Sequence, residues 1–189
     1  MRLRYLILLL LFSLKLLSQE VQTIAFYNVE NLFDNINDPT TFDDDYTQEG
    51  RNHWTPVLVN QKIDRIAQVL SGVGKRETKR PPLLIGLAEV ENRTVLEQLV
   101  AHPKLRPYGY EIVHFDSRDF RGIDVRLLYR KEFFFFRRFQ NLPFKTDQSQ
   151  NPTPQYYSRS IGRLRVLGKR GVDATGQSLA LTKRRTKTQ

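Results

Sequence analysis

Short apolar runs alternate with long polar stretches along this chain. Val21 to Tyr27, "VQTIAFY", is rich in β-branched and aromatic residues and predicts a buried strand. The stretch from Asp34 to Thr55 is dense in Asp, Asn, Pro and Gly and reads as a long loop, of the kind that often carries function. "TPVLVNQKIDRIAQVLSGVG" then predicts a helix. Thr55 suits its N-cap and Pro56 its first turn, Ile63, Ile66, Val69 and Leu70 share one face, and Gly72 and Gly74 end it. "GKRETKRPP" reads as a solvated basic connection, and the continuous apolar run "LLIGLAEVEN" as a strand covered on both faces. Asn92 or Thr94 can cap a short helix over "VLEQLVAHP". "YEIVHF", "IDVRLLY" and "EFFFFRRFQ" predict further strands, with a turn at "DSRDFRG" and a polar loop over 146–155. Strands interleaved with helices predict an α/β or α+β domain, and no internal repeat is present.

The start of the chain breaks this pattern. In "MRLRYLILLLLFSLKLLSQE", Arg2 and Arg4 precede an unbroken apolar run, the order of a secretory signal peptide. The run is interrupted by Lys15 and is shorter than the ~20 apolar residues of a membrane span. Residues 1–18 are therefore expected to direct export, to a periplasmic or extracellular location, with cleavage after Ser18. With all-round hydrophobicity and no polar face, a buried N-terminal helix is the weaker reading.

The 189 residues suffice for one domain with a real core, and 40% hydrophobic content places most of the chain among globular proteins. No cysteine is present, which excludes disulfides, thiolate metal sites and cysteine nucleophiles. The net charge of +10 suggests a nucleic-acid partner until it is apportioned. Residues 1–18 carry +3 and residues 159–189 carry +8, which leaves −1 for the body. The basicity belongs to the two ends and says little about what the body binds.

The chemistry concentrates where apolar runs end. Asn28 closes "TIAFYN" and Glu89 closes "LLIGLAE". A carboxylate at the exit of a buried strand is costly unless hydrogen-bonded or bound to a cation, and its hard oxygens suit Mg²⁺ or Mn²⁺. The competing reading is a Glu89 that begins a turn and faces water.

"FYNVENLFD", "LIGLAEVEN" and "RGIDVRLLY", in this order and spacing, resemble the endonuclease/exonuclease/phosphatase superfamily, whose members include DNase I-like nucleases and inositol-phosphate phosphatases. The chain is most similar to secreted bacterial members, which also carry a stretch like "DDDYTQEGRNHWT", and the resemblance covers Thr23 to about Lys131. It implies an α/β (α+β) fold, the N-terminal half of a DNase I-like two-sheet β-sandwich flanked by helices, filling residues 19–170. It further implies a phosphoester hydrolase using Mg²⁺ or Mn²⁺, acting on nucleic acid or a small phosphoester. By the same resemblance Asn28 helps place phosphate and attacking water, Glu89 binds the metal with Glu30 as a second acid, and Arg121 contacts phosphate. Asp124 is a further cleft candidate, and no stable membrane span or protein partner is implied once the leader is removed.

The sequence departs from that family in two places. Arg126 stands in "IDVRLLY" where relatives have a small apolar residue, so it is expected near the rim of the sheet or to destabilise it. The family's later motifs, ending in an Asp-His pair, do not occur, and His53, His102 and His114 all precede the place where they belong. His53 reads as a surface or capping residue, His102 as a helix C-cap or exposed residue, and His114 as a packed strand residue. The basic tail 171–189 is read as out of frame, because the codons permitted for Gly176 to Arg185 can spell Val-Asn-His-Trp-Pro-Ser-Arg-Arg-Gly when shifted by one nucleotide. On this reading the chain is a truncated, inactive and poorly stable fragment. The reading from another class is a non-catalytic protein that attaches to nucleic acid or anionic surfaces through its basic tail.

Overall fold

A computed structural model describes residues 21–114, 121–143, 160–168 and 179–181, the segments from residue 135 onward as backbone elements only. The leader segment 1–18 lies outside the described residues, as do 171–178 and 182–189 of the basic tail. The elements, in chain order, are β1 (Ile24–Leu32), α1 (Pro56–Gly72), α2 (Lys75–Thr78), β2 (Leu84–Val90), α3 (Arg93–Ala101), β3 (Tyr110–Val113), β4 (Asp124–Arg130), β5 (Phe134–Pro143), β6 (Ser160–Gly168) and β7 (Leu179–Leu181). Single 3-10 turns lie at Asp44–Tyr46 and Arg106–Tyr108. The domain is thus mixed α/β, as the alternation of periods predicts.

β1 to β4 form one sheet in the order β1-β2-β4-β3, with β1 parallel to β2 and the other pairs antiparallel. β5, β6 and β7 form a second, antiparallel sheet. The tail stretch "LAL", which has no strand pattern of its own, pairs through Leu179 to Leu181 with Gly162 to Leu164.

β2 is an interior strand of the first sheet because its run is apolar from Leu84 to Ala88, so both faces can be covered. Ile85 and Leu87 face the helices, in a core with Ile63, Ile66 and Leu70 of α1 and Val95, Leu96 and Leu99 of α3. Leu84 faces the other way, in a second cluster with Leu127, Tyr129, Val113 and Phe134. α1 follows its sequence signals closely. Pro56 is its first residue, and the Thr55 hydroxyl accepts from the Leu58 amide at 3.4 Å. Val69 departs from the expected face and lies exposed on the flank of the helix. Asn92 rather than Thr94 caps α3, its side chain accepting from the Val95 amide at 3.1 Å. Thr55→Ala is expected to lower stability by about 0.5–1 kcal/mol, the lower part of the range for lost caps because the bond is long. A shift in the urea midpoint measures it.

β1 is where the fold differs most from the pattern. Its apolar residues predict burial, yet Ile24 is 61% and Phe26 53% exposed. The reason is position: β1 is an outer strand that pairs only with β2 among the described residues. Arg126 differs as well, being neither at the rim nor disruptive. It is 1% exposed, lies opposite Leu87, and is held by partners described below.

Candidate active site

Two bulges lie side by side at the ends of paired strands. Asn28 of β1 pairs with Ala88 of β2, and the next pair in register is Leu32 with Val90. Between these pairs the two strands fall out of step. On β1 the extra residues include Glu30 and Asn31, with φ of 56° and 64°. On β2 the irregular residue is Glu89, with φ of 67°. Left-handed backbone costs a side-chain-bearing residue about 1–2 kcal/mol. Three such residues at one sheet end are held only by compensating contacts, and bulges of this kind turn side chains out of the pleat. Here they bring Glu30 and Glu89, acids from two different strands, to one end of the sheet.

The compensating contacts are visible. The Glu30 amide donates to Asn28 Oδ1 at 2.9 Å. Its carbonyl accepts from Lys62 Nζ of α1 at 2.7 Å. The Glu30 peptide unit is therefore gripped on both sides. Burial draws the Lys62 ammonium below the ordinary lysine value and Arg65 adds to the effect, while Glu30 and Glu89 act against it. Those opposing charges place the ammonium in the field of both acids.

The long loop borders this end of the sheet through Tyr46, which feels the charge of Glu89. Phe33 stacks on Tyr46 with ring centres 4.0 Å apart, and Trp54 meets Tyr46 edge-on at 5.8 Å. The Trp54 indole donates to the Phe33 carbonyl at 3.1 Å, closing the loop on itself. Tyr46 feels the site: burial raises its phenol above the usual value, Asp45 and Glu89 raise it further, and Arg121 lowers it. Arg121 opens the turn into β4. Gly122 beside it has φ of 69°, and a Cβ there would lie 3.0 Å from Thr41 Cγ2, so the loop and this turn are packed together. Glycine meets both demands.

Of the residues singled out from sequence, Asn28, Glu30, Glu89 and Arg121 all lie at this end of the sheet or against the loop that borders it. The Asn28 side chain secures the bulge backbone. Asp124 takes a different place. It is buried at the start of β4, where Arg126 Nη2 donates to its carboxylate at 3.1 Å. The same Nη2 donates to the Glu91 carbonyl at 3.0 Å. Glu91 in turn accepts from the Asp34 amide at 2.7 Å, and Asp34 accepts from the Asn92 side chain at 2.8 Å. This buried polar network ties the loop, the end of β2 and β4 together beneath the site.

Two of the histidines have partners of their own. His53 is exposed and its Nδ1 donates to the Gln48 carbonyl at 3.3 Å. His102 is the C-cap of α3, with Nε2 3.2 Å from Asp64. His114 is half-buried and follows the last residue of β3.

Lys62 and Tyr46 had no distinguishing mark in the sequence. Lys62 flanks the apolar stripe of α1 like many solvent-facing lysines, and only the fold reveals the carbonyl it reaches. Tyr46 lies within the stretch "DDDYTQEGRNHWT" that carries part of the resemblance, which is the one signal that could have raised it.

Among the described residues no three His, Asp or Glu side chains form a cluster able to hold a metal ion by themselves. The donor set still fits Mg²⁺ or Mn²⁺. Such ions keep several waters and are bound through one or two carboxylates together with substrate phosphate. Glu89 and Glu30 are the carboxylates present. No helix among the described residues is long and apolar enough to cross a membrane.

No curated protein matches the chain. A family profile does: the Endonuclease/Exonuclease/phosphatase family matches residues 23–169, and the chain belongs to that family.

Proposed function

We propose that this chain carries the metal- and phosphate-binding residues of a divalent-metal-dependent phosphoester hydrolase of the nuclease or phosphodiesterase kind. The observation that carries the reading is the pair of adjacent bulges that sets Glu30 and Glu89 together at one sheet end. Glu89, with Glu30 beside it, would hold Mg²⁺ or Mn²⁺, which when bound supplies neutralisation of phosphate oxygens and of charge on the leaving group. Asn28 keeps the bulge in shape, and Arg121 and Lys62 add positive charge near the acids for an anionic substrate. On this reading the chain binds a divalent metal and a phosphoester at that sheet end. Residues 1–18 make it an exported protein. The substrate class is nucleic acid or a small phosphoester.

The test is metal binding by the full chain, followed by calorimetry or Mn²⁺ magnetic resonance. Glu89→Ala is expected to weaken Mn²⁺ at least about tenfold, roughly 1.4 kcal/mol. An unchanged Mn²⁺ affinity in Glu89→Ala, with the fold intact by circular dichroism, would refute the assignment. Hydrolysis of a chromogenic phosphodiester is measured in parallel, and turnover that survives Glu89→Ala refutes it equally.

A further inference from the structure

We propose that Lys62 is a phosphate-binding residue of this site, a role that rests on the metal-site reading above and deepens it. The argument begins with where its head group is held. A lysine on a helix flank ordinarily swings in water, with four rotatable bonds and about 2 kcal/mol of rotamer entropy. Lys62 instead lies half-buried beside Ile63, and its ammonium is anchored at 2.7 Å on the Glu30 carbonyl, inside the β1 bulge. Burying the stem against the helix while the head reaches the sheet end is the usual way an amphipathic side chain is accommodated. Here the head ends at the backbone of the strand that carries one acid, with the other acid on the neighbouring strand.

An ammonium has three N–H donors and no acceptor. Among the described residues the Glu30 carbonyl is its one hydrogen-bond partner. Two donors therefore remain to be directed at an anion. The anchoring bond removes much of the ordering cost that a free lysine would meet on binding, and preorganisation of this kind strengthens binding. A divalent ion at Glu30 and Glu89 would leave Lys62 as the adjacent cation, facing the same phosphate.

Two affinities of the full chain then move in opposite directions in Lys62→Met. The probes are Mn²⁺ alone and inorganic phosphate in the presence of saturating Mn²⁺. Removing a positive charge near two carboxylates is expected to tighten Mn²⁺ several-fold. The same change is expected to weaken phosphate by about tenfold or more, through loss of a charge-assisted hydrogen bond. Lys62→Arg keeps both charge and donors and is expected to restore most of the phosphate affinity. A purely structural lysine would move both affinities the same way, or neither. Phosphate affinity in Lys62→Met equal to that of the parent chain overturns the proposal, as does a parent chain that binds Mn²⁺ but no phosphate. In both of those outcomes the metal reading of Glu89 still stands, because it falls only if Glu89→Ala leaves Mn²⁺ binding unchanged. A parent chain that binds no Mn²⁺ overturns both.

Discussion

Arg126→Ala is expected to cost the domain about 3–5 kcal/mol, as removal of one partner from a buried ion pair does. That is a large part of the 5–15 kcal/mol typical of a whole domain, so the variant should be largely unfolded near physiological temperature. The cause is what remains behind. Asp124 is 8% exposed and would lose the guanidinium that faces it at 3.1 Å. The Glu91 carbonyl would lose its donor as well. A cavity would also open opposite Leu87 where the arginine side chain beyond Cβ had been. The control is Arg126→Met combined with Asp124→Leu, which removes both charges and keeps most of the volume. That double variant is expected to recover more than half of the loss, because an apolar replacement of a whole buried pair is often nearly neutral. Urea denaturation of the variants measures the difference. A loss below about 1 kcal/mol in Arg126→Ala would show that the pair is not a structural tie.

The second large effect is a dependence of stability on pH. Burial pushes the Glu91 carboxyl up to about 8. The Asp34 amide opposes this, while the charges of Asp34 and Asp43 and a hydrogen bond with the Asp43 side chain add to it. Asp43 is itself buried, and its Oδ1 has no donor among the described residues. A neutral Glu91 is the group placed to provide one. The sign follows from proton counts. Below about pH 4.5 the folded and unfolded chains both hold the proton, and Glu91 costs nothing. Between about 4.5 and 8 the unfolded chain has released it and the folded chain has not, so stability falls as pH rises. Above about 8 both have released it, and the loss is complete. Three to four pKa units correspond to about 4–5 kcal/mol as an upper bound. Glu91→Gln keeps an acceptor for the Asp34 amide and a donor for Asp43. It is expected to flatten the stability profile between about pH 5 and 8 and to be more stable than the parent at pH 8. Parallel profiles for the two proteins would show that Glu91 does not titrate in this range.

Much of the fold is legible in the sequence because it is written in local periodicity. Thr55, Pro56 and the Ile63–Ile66–Leu70 stripe define α1 without help from the rest of the chain. The continuous run of β2 declares a strand covered on both faces, and it is one. The same logic misplaces β1. Composition reports that a segment is apolar, but not whether a neighbour lies on each side, and β1 is an outer strand among the described residues. Arg126 is misread for a related reason. The cost of a buried charge depends on its partners, and Asp124 and the Glu91 carbonyl are brought to it by register and by the end of another strand.

The sequence by itself determined the family-bearing segments and the secondary elements, and it marked Glu89, at the end of an apolar run, as a candidate. It could do so because capping, alternation and a carboxylate at the end of an apolar run are properties of neighbours along the chain. The tertiary structure alone decided that Glu30 and Glu89 sit in adjacent bulges. It alone decided that Asp124 is spent on Arg126, and that a lysine from α1 grips the peptide of Glu30. Left-handed backbone at Glu30, Asn31 and Glu89 opposes their local preference, so no local rule announces it. At Glu30 it is held by Asn28, whose side chain accepts from the Glu30 amide, and by Lys62 far along the chain, which donates to the Glu30 carbonyl only once helix and sheet have packed.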